Sequence, residues 1–244
     1  MRRTAPRSPG SSCMLHALAL VIACNGLQRG VPRRMASLAA SSKSAETIAD
    51  YDAVAAAFDA GNKDHDVSQN IDALLAPLRG VDRPVVVDLG CAGGRDLVSL
   101  AARGCDAWGV DGSRAFCALA RAAAPGATVL QQDLCDLDLP PATFDGVYAN
   151  AAIFHVPSER LPELLSRIRA ALKPGGVFFC SNAQGFGEDR EGWTGGRTPT
   201  TKSWVCWLSE ATWKARCADA GFELLDTYLR GRGGAFLATV WRRP

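Results

Sequence analysis

The stretch from Pro84 to Asp96, PVVVDLGCAGGRD, constrains the fold more than any other part of the sequence. Its three consecutive valines form a short β-branched run, which is typical of a strand buried on both faces of a parallel sheet. Gly90 and the pair Gly93–Gly94 follow, and residues 96–103 have the pattern of a helix. Because glycine lets a chain turn sharply and approach a ligand closely, this order predicts a ligand-binding loop in an α/β protein.

The spacing of this loop differs from that of a dinucleotide-binding turn. The dinucleotide fingerprint is G-x-G-x-x-G, with a pyrophosphate at the helix N-terminus. This chain instead has D-x-G-x-x-G-G, beginning at Asp88. A carboxylate at the end of the strand repels phosphate and suits a ligand that carries a cationic group.

The pattern resembles motif I of the class I S-adenosylmethionine-dependent methyltransferases, E/D-x-G-x-G-x-G, with Ala92 at one of the glycine positions. The resemblance implies that the loop passes the methionine part of S-adenosylmethionine, and that the acid at the strand end helps to orient the amino group of this cofactor. The loop residues that it implies as cofactor-binding are Asp88, Gly90, Cys91, Ala92 and Gly93.

Two further predicted strands end in an acid. Residues 106–110 are followed by Asp111–Gly112, and an acid about twenty residues after a glycine loop hydrogen-bonds a ribose diol in Rossmann-like folds. Residues 127–131 are followed by Asp133–Leu134; the resemblance implies that this acid receives the adenine amino group and that the next backbone N–H meets a ring nitrogen. The alternatives are structural, since Asp111 could cap the next helix and Asp133 could form a turn.

Residues 144–179, FDGVYANAAIFHVPSERLPELLSRIRAALKPGGVFF, are similar to the strand four, helix and strand five unit of small-molecule methyltransferases. The resemblance puts Asn150 and Ala151 at the carboxyl edge of the sheet as cofactor-binding residues, beside the transferring methyl group. Asn150 and His155 are the catalytic candidates, with His155 as a base or hydrogen-bonding group. The alternative is a structural His155 that caps the turn after the strand.

Two polar segments are candidates for an acceptor pocket. The first accompanies two predicted leading helices, 45–60 and 68–78, which in this class of methyltransferases close over the cofactor; Ser68 is the predicted cap of the second helix. The second is 181–208, in which regular periodicity disappears, so that a functional loop is predicted. The predicted substrate-binding residues are Tyr51, His65, Asp66, Gln69, Asn70, Asn182, Trp193 and Arg197.

Together these features predict an α/β fold. We expect a Rossmann-like seven-stranded sheet with an antiparallel final strand, in a three-layer α/β/α arrangement with leading N-terminal helices, over residues 44–244. Near the end of the chain, Ser209 is the predicted cap of a helix that reaches position 220, and residues 222–229 and 235–241 are predicted to form a closing hairpin.

The predicted function is S-adenosylmethionine-dependent methyl transfer to a small polar metabolite, such as a nitrogen of a histidine-like or amino-acid acceptor. The runs D-H-D-V-S-Q-N (64–70) and E-G-W-x-G-G-R (191–197) resemble the methyltransferase domain of ovothiol-forming enzymes, which methylates a thiohistidine ring nitrogen. One alternative is a non-catalytic partner subunit that has kept the fold. Another is a nicotinamide-dependent oxidoreductase, although the chain lacks a Tyr-x-x-x-Lys pair.

The charge distribution argues against a nucleic-acid substrate. Residues 1–42 carry six arginines and no acid, which leaves 21 basic and 25 acidic residues in the remainder of the 244-residue chain. The domain is therefore mildly acidic and has no polybasic stripe. We expect a small-molecule acceptor, no nucleic-acid partner, and a monomer or homodimer.

The N-terminal residues 1–43 have the composition of a targeting leader. Arginines precede an apolar run, 14–24, that is too short to span a bilayer and suits a signal-peptide core, and residues 27–43 have transit-peptide composition. We expect import into an organelle, a plastid rather than a mitochondrion, and no stable membrane insertion of the mature chain. If translation begins at Met35, a cytoplasmic location is expected instead.

The nine cysteines are scattered, without a C-x-x-C pair and without a histidine at zinc-binding spacing. Most of those beyond position 90 fall in or beside predicted core elements, where a free thiol behaves as a small apolar group. The sequence therefore predicts a reduced compartment and no metal.

Overall fold

The computed structural model describes residues 33–62 and 64–244. The chain divides into two units, Met1–Ala39 and Ala40–Pro244, and every described strand belongs to the second. The predicted leader lies outside the described residues up to position 32. Helix α1, Arg33–Asn62, begins well before the predicted Ala45, so that the expected domain start at position 44 falls inside a helix.

Five further helices and nine strands are described after α1. The helices are α2 (Ser68–Leu75), α3 (Arg95–Ala102), α4 (Arg114–Ala123), α5 (Leu161–Ala171) and α6 (Glu210–Asp219). The strands are β1 (Val85–Leu89), β2 (Asp106–Asp111), β3 (Thr128–Gln131), β4 (Phe144–Asn150), β5 (Leu172–Ala183), β6 (Arg190–Gly195), β7 (Lys202–Trp207), β8 (Glu223–Arg230) and β9 (Phe236–Arg242).

Seven of these strands form one sheet in the order β3-β2-β1-β4-β5-β9-β8. The first five strands in this order are mutually parallel, whereas β9 is antiparallel to both of its neighbours. The predicted Rossmann-like sheet with an antiparallel closing strand is confirmed. Because the parallel strands all end at one edge, the turns that follow β1 to β5 lie side by side there.

Helices cover both faces of the sheet. Val87 and Phe178 face one side with α5 and α6, whereas Val86 and Phe179 face the other with α2, α3 and α4. Successive strand residues point to opposite faces, so two adjacent apolar residues can each enter a different core. This explains why the buried strands are apolar throughout rather than alternating.

Two local predictions at helix ends differ in outcome. Ser209 does cap α6, since its hydroxyl accepts a hydrogen bond from the Thr212 N–H. Ser68 is not the cap of α2, because Val67 occupies that position. The Ser68 hydroxyl instead donates to the Asp66 carboxylate over 2.6 Å.

The prediction of an irregular loop at 181–208 is wrong, because β6 and β7 form a two-stranded hairpin there. Trp193 pairs with Trp204 across the hairpin, with ring centroids 5.3 Å apart in an edge-to-face arrangement. Cross-strand aromatic pairs of this kind stabilise a hairpin. The frequent glycines of the segment hide the alternation by which the strands could have been found.

Within the described ranges, none of the helices has both the length and the apolar composition needed to cross a bilayer. Those ranges also contain no group of three or more His, Cys, Asp or Glu side chains placed to hold a metal ion. Seven described cysteines are buried and unpaired.

Candidate active site

A cavity of about 430 Å³ lies at the carboxyl edge of the sheet. Its floor is made by the turns after β1, β2, β3 and β4, and one face of α1 forms its roof. Ligands of open α/β sheets bind at this edge, where turns from neighbouring strands meet.

The glycine loop after β1 is in close contact with two other segments. Gly90 has a φ of +79°, and a Cβ added there would stand 2.4 Å from the Cβ of Ala152 after β4. A Cβ on Gly93 would stand 1.8 Å from Oδ1 of Asp59 on α1. Ala92, at the position where the resembling family has glycine, also adopts a left-handed φ of 45°. The loop therefore needs small residues because the roof and the β4 turn lie directly against it.

The Asp111 carboxylate at the end of β2 is held by two backbone groups. Ala92 N–H donates to its Oδ2 over 3.0 Å, and Ser113 N–H donates to its Oδ1 over 2.8 Å. Each oxygen keeps a further lone pair that can accept from a ligand. Burial raises the pKa of Asp111 above its usual value, although both backbone hydrogen bonds act against the rise. The helix cap that could have been its alternative role belongs to Ser113.

The Asp133 carboxylate after β3 is oriented through one oxygen. Its Oδ1 accepts from Cys135 N–H over 2.8 Å and from the Ser44 hydroxyl of α1 over 2.6 Å. The Cys135 thiol also hydrogen-bonds the Asp133 carboxylate, and Leu134 lies beside it on the cavity wall. A carboxylate has about four acceptor positions, so Asp133 can still accept from a further donor such as an amino group.

Asn150, at the end of β4, belongs to a hydrogen-bonded chain that leads out of the cavity wall. Its Oδ1 accepts from Asn70 Nδ2 over 2.9 Å, and Asn70 in turn accepts from the Tyr228 hydroxyl over 3.0 Å. On the cavity side, Asn150 Nδ2 lies 3.4 Å from Asp96 Oδ2, and Asp96 pairs with Arg95 over 2.6 Å. The chain fixes which face of the Asn150 amide is presented to the cavity.

Comparison with known proteins identifies the core of this architecture. The sequence profile of the methyltransferase domain family matches residues 86–176, which run from β1 into β5. A solved structure of DhpI in complex with SAH superposes with a TM-score of 0.64 at 23% identity, covering 82% of this chain and 97% of that one. Residues 86–176 therefore match a methyltransferase domain, and the fold is that of class I methyltransferases.

Two curated relatives of this methyltransferase domain have a more specific name. Trans-aconitate 2-methyltransferase of Deinococcus radiodurans is 38% identical over 115 residues, 43% of this chain and 43% of the relative. Trans-aconitate 2-methyltransferase of Variovorax paradoxus is 34% identical over 165 residues, 67% of this chain and 58% of the relative. The chain thus spans about half the length of these relatives.

The roof of the methyltransferase domain is fastened to the β6–β7 hairpin through Asp50. This carboxylate is fully buried and accepts from Arg197 N–H over 2.8 Å, from Arg197 Nη1 over 3.0 Å, and from the Thr201 and Ser203 hydroxyls. Burial would raise the pKa of Asp50, but these hydrogen bonds outweigh it and lower the pKa below its usual value. The ion pair therefore keeps α1 and the hairpin together at neutral pH.

A second contact line runs from this ion pair to the cavity. The Arg197 guanidinium lies 3.6 Å from the Tyr51 ring centroid and also hydrogen-bonds the Tyr51 hydroxyl. That hydroxyl lies 2.7 Å from Nε2 of His155, whose Nδ1 lies 2.7 Å from the carbonyl oxygen of Trp204. Because a carbonyl only accepts, Nδ1 carries the proton and Nε2 accepts from Tyr51.

In this arrangement neither Tyr51 nor His155 is available as a general base. Burial lowers the pKa of His155 to about 4 and raises the pKa of Tyr51 to about 12. At neutral pH the imidazole is therefore neutral, and both of its nitrogens have partners within the protein. The ring contacts of His155 are therefore structural rather than those of a free base. They join His155 to Tyr51 on α1 and to Trp204 on β7, although the ring still lies on the cavity wall.

Most of the sequence-predicted positions do line the cavity. From the cofactor set these are Gly90, Cys91, Ala92, Gly93, Asp111, Gly112, Asp133, Leu134, Asn150 and Ala151, and they are joined by Tyr51, His65 and His155. The turns that carry the cofactor set lie within one or two residues of a strand end. Their position therefore follows directly from the strand order.

Asp88 does not line the cavity. It lies inside β1, which ends one residue later at Leu89, and only 3% of the residue is exposed. Burial, followed by the nearby charge of Asp96, raises the pKa of Asp88 well above its usual value. The carboxylates that face the cavity beside the glycine loop are Asp59 and Asp96 instead. The carboxylates beside the glycine loop are thus on α1 and in the first turn of α3 rather than at the end of β1.

Six predicted acceptor residues also lie away from the cavity wall: Asp66, Gln69, Asn70, Asn182, Trp193 and Arg197. Asn70 supports Asn150 from behind, and Arg197 supports Tyr51 from the hairpin. Asn182 lines a separate, much smaller cavity beside α6. Trp193 packs on Trp204 and under the Lys202 ammonium group on the outer part of the hairpin.

The cavity-facing residues of α1 other than Tyr51 were not predicted from the sequence. The cavity-lining residues of α1, in chain order, are Ser44, Thr47, Ile48, Tyr51, Phe58, Asp59 and Asn62. These positions recur every three, four or seven residues, with Thr47–Ile48 and Phe58–Asp59 as adjacent pairs, which is the pattern of a helix face and was the available signal. It was obscured because the face mixes hydroxyl, aliphatic, aromatic and acidic side chains.

Proposed function

We propose that this protein transfers a methyl group from S-adenosylmethionine to a small polar acceptor. The observation that carries the proposal is Asp111: a buried carboxylate at the end of β2, with both oxygens oriented by backbone N–H groups and one lone pair of each still available. Two vicinal hydroxyls of a ribose match two such oxygens.

The order of polar groups along the floor fits the cofactor. Asp133, Asp111 and the glycine loop lie at the ends of β3, β2 and β1, which are adjacent in the sheet, and Asn150 follows at β4. Three strand spacings separate β3 from β4, about 14 Å. An extended ligand can therefore place its adenine near Asp133, its ribose near Asp111 and its amino-acid end near the loop.

The charged side chains beside the glycine loop fit the zwitterionic amino-acid end of S-adenosylmethionine. Arg95 lines the cavity and can hold a carboxylate, while Asp59 and Asp96 can receive an ammonium group. A pyrophosphate would meet these two carboxylates at the same place, which disfavours a nicotinamide cofactor. The DhpI structure in complex with SAH supports the same choice of ligand class.

S-adenosylmethionine, when bound, supplies a methyl group that its sulfonium already activates. The residues of this chain then have to orient two reactants and exclude water, which by itself gives large rate enhancements. Helix α1 covers the cavity, and Asn150 presents a fixed amide toward the reacting region. Because both nitrogens of His155 have protein partners, the acceptor must arrive unprotonated at its reacting atom, as a carboxylate oxygen or a neutral nitrogen does.

The acceptor itself is a separate proposal. The names of the two relatives support a small carboxylic acid, whereas the sequence resemblance favoured a histidine-like nitrogen. We therefore propose a test set that contains trans-aconitate and other small carboxylic acids together with 5-thiohistidine, histidine and neutral analogues.

The test combines binding with turnover. Calorimetry should show saturable binding of S-adenosylmethionine and S-adenosylhomocysteine, and none of NADH. The acceptor set is then scored by release of S-adenosylhomocysteine. Binding of NADH alone would favour the oxidoreductase alternative, and cofactor binding without turnover of any acceptor would favour a non-catalytic subunit.

A further inference from the structure

Arg230 is a charged side chain on the cavity wall that the cofactor does not account for. It ends β8, is half-buried, and lines the cavity. In the part of the chain that the structure describes, its side chain makes no hydrogen bond and no ion pair. Desolvating a guanidinium costs free energy unless a partner compensates. An arginine that faces a cavity without a protein partner therefore indicates an anionic ligand.

The sheet register places Arg230 on the far side of Asn150 from the cofactor positions. Asn150 pairs with Ser181 of β5, Phe236 of β9 pairs with Ala183, and Arg230 pairs with Phe236. Three strand spacings separate β4 from β8, about 14 Å. The cofactor positions occupy β3 to β4, so Arg230 faces the remaining part of the cavity.

A second polar group on this wall also has no protein partner. Ser181 is 1% exposed and lines the cavity, and no described residue hydrogen-bonds with its hydroxyl. Phe236 lies between Ser181 and Arg230 and packs edge-to-face on Phe154, with centroids 6.2 Å apart. Phe236, backed by Phe154, makes this part of the cavity wall apolar, which would strengthen a charge-assisted hydrogen bond made there.

The acids around Arg230 do not neutralise it. Asp96 is paired with Arg95 over 2.6 Å, and Asp59 lies against Gly93 of the glycine loop. Hydrogen bonds from Ser68, and to a smaller extent the charge of Arg230, lower the pKa of Asp66, but Asp66 is exposed, lies outside the cavity and makes no ion pair with Arg230. His65, which also lines the cavity, adds another donor rather than an acid.

We propose that the methyl acceptor carries a carboxylate, which Arg230 binds with help from the Ser181 hydroxyl. The inference rests on the proposed function, because it assigns the remaining part of the same cavity to the acceptor. A planar guanidinium binds a carboxylate through two parallel hydrogen bonds, so Arg230 would set both the position and the orientation of the acceptor.

The experiment measures binding to the full chain loaded with S-adenosylhomocysteine, so that it does not depend on turnover. Acetate, succinate and tricarballylate are titrated by calorimetry, alongside succinamide and the triamide of tricarballylate as neutral probes. The variants are Arg230→Gln, Arg230→Lys and, as a matched control, Arg79→Gln, an exposed arginine away from the cavity.

We expect at least one carboxylate to bind the wild type and no amide to bind comparably. Arg230→Gln should weaken that carboxylate at least about tenfold, the loss of one charge-assisted interaction. Arg230→Lys should retain part of the affinity, and Arg79→Gln all of it. S-adenosylhomocysteine affinity should be the same in all four proteins.

Three outcomes would overturn the inference: no carboxylate binds the loaded wild type, Arg230→Gln binds it as well as wild type does, or the amide binds equally. None of these outcomes contradicts the proposed function, provided that S-adenosylhomocysteine binds. Failure of S-adenosylhomocysteine to bind the wild type would instead contradict the proposed function.

Discussion

The floor and the roof of the cavity are built in different ways. On the floor, Asp111 is held by Ala92 and Ser113, which belong to the turns after two neighbouring strands. On the roof, Asp50 is held by Arg197, 147 residues further along the chain. The floor is made of strand ends that the sheet brings together, whereas the roof depends on one helix meeting a distant hairpin.

This difference indicates which part of the cavity should stay rigid and which part should open. Floor groups belong to short turns on a buried sheet, so they should keep their geometry in the absence of a ligand. The roof is held by polar contacts of α1 with the hairpin and by contacts of α1 with the floor, such as Ser44 with Asp133, so it should open at a lower free energy than the sheet. Since one face of α1 lines the cavity, loss of these contacts would widen the access of a cofactor.

The largest effect is expected at the floor, for Gly90→Ala. A Cβ there would lie 2.4 Å from the Ala152 Cβ and would also take a left-handed φ of +79°. We expect the free energy of unfolding in urea to fall by about 2–4 kcal/mol, from overpacking and backbone strain together. Gly104→Ala is the matched control, with a φ of +83° and nothing within 4 Å of the added Cβ.

The control should lose only about 1 kcal/mol, the cost of the backbone conformation alone. Equal losses in the two variants would mean that the contact with Ala152 relaxes freely. The turn after β4 would then not be in fixed contact with the glycine loop.

Asp111→Asn should have the next largest effect, on cofactor binding. Two charge-assisted hydrogen bonds to the ribose would weaken, so that S-adenosylmethionine affinity falls about a hundredfold by calorimetry. Asp106→Asn, at the other end of β2, is the control and should bind normally. If Asp111→Asn folds and binds as tightly as its control, the ribose assignment is wrong.

A smaller effect is expected when the roof contact is weakened. Asp50→Asn removes the charge from a fully buried carboxylate and leaves Arg197 with neutral partners, at a cost of about 2 kcal/mol. Hydrogen exchange should accelerate in β6 and β7 before the central sheet opens. Glu46→Gln is the control, because Glu46 and Lys202 join α1 and the hairpin at an exposed site, 2.9 Å apart.

That exposed pair should contribute less than about 1 kcal/mol to the free energy of unfolding. Glu46→Gln should therefore leave the hydrogen-exchange rates of β6 and β7 unchanged. Were Asp50→Asn to accelerate exchange across the whole sheet equally, the roof would not be a separately opening unit. The contrast between floor and roof would then be lost.

The smallest expected effect is the pH dependence that His155 contributes to stability. Its pKa of about 4 in the folded state lies below the usual 6.5. As pH falls from 6.5 toward 4, the unfolded chain takes up a proton that the folded chain does not, so stability decreases. We expect wild type to lose about 1 kcal/mol by pH 5.5 relative to His155→Gln.

The comparison with His155→Gln is needed because Asp88 and Asp111 act with the opposite sign. Their raised pKa values mean that the folded chain holds protons which the unfolded chain has released, so their contribution decreases as pH rises. Both acids are present in the two proteins and cancel in the difference. Parallel pH profiles would show that His155 titrates normally in the folded chain.

The fold could be predicted because its signals are local. The valines of β1, the glycine loop and the acid after β2 each occupy a few consecutive residues, and together they determine a parallel sheet with a ligand edge. The β6–β7 hairpin was missed because its tryptophan pair becomes visible only once residues 193 and 204 are aligned.

The sequence by itself determined which turns line the cavity, because strand order and turn position follow from short apolar runs and the glycines between them. Only the tertiary structure decided that Asp88 is buried inside a strand, that Arg197 supports Tyr51 from outside the cavity, and that Arg230 faces into it. The physical reason is that burial and charge pairing depend on which distant segments meet, and the spacing of residues along the chain does not contain that information.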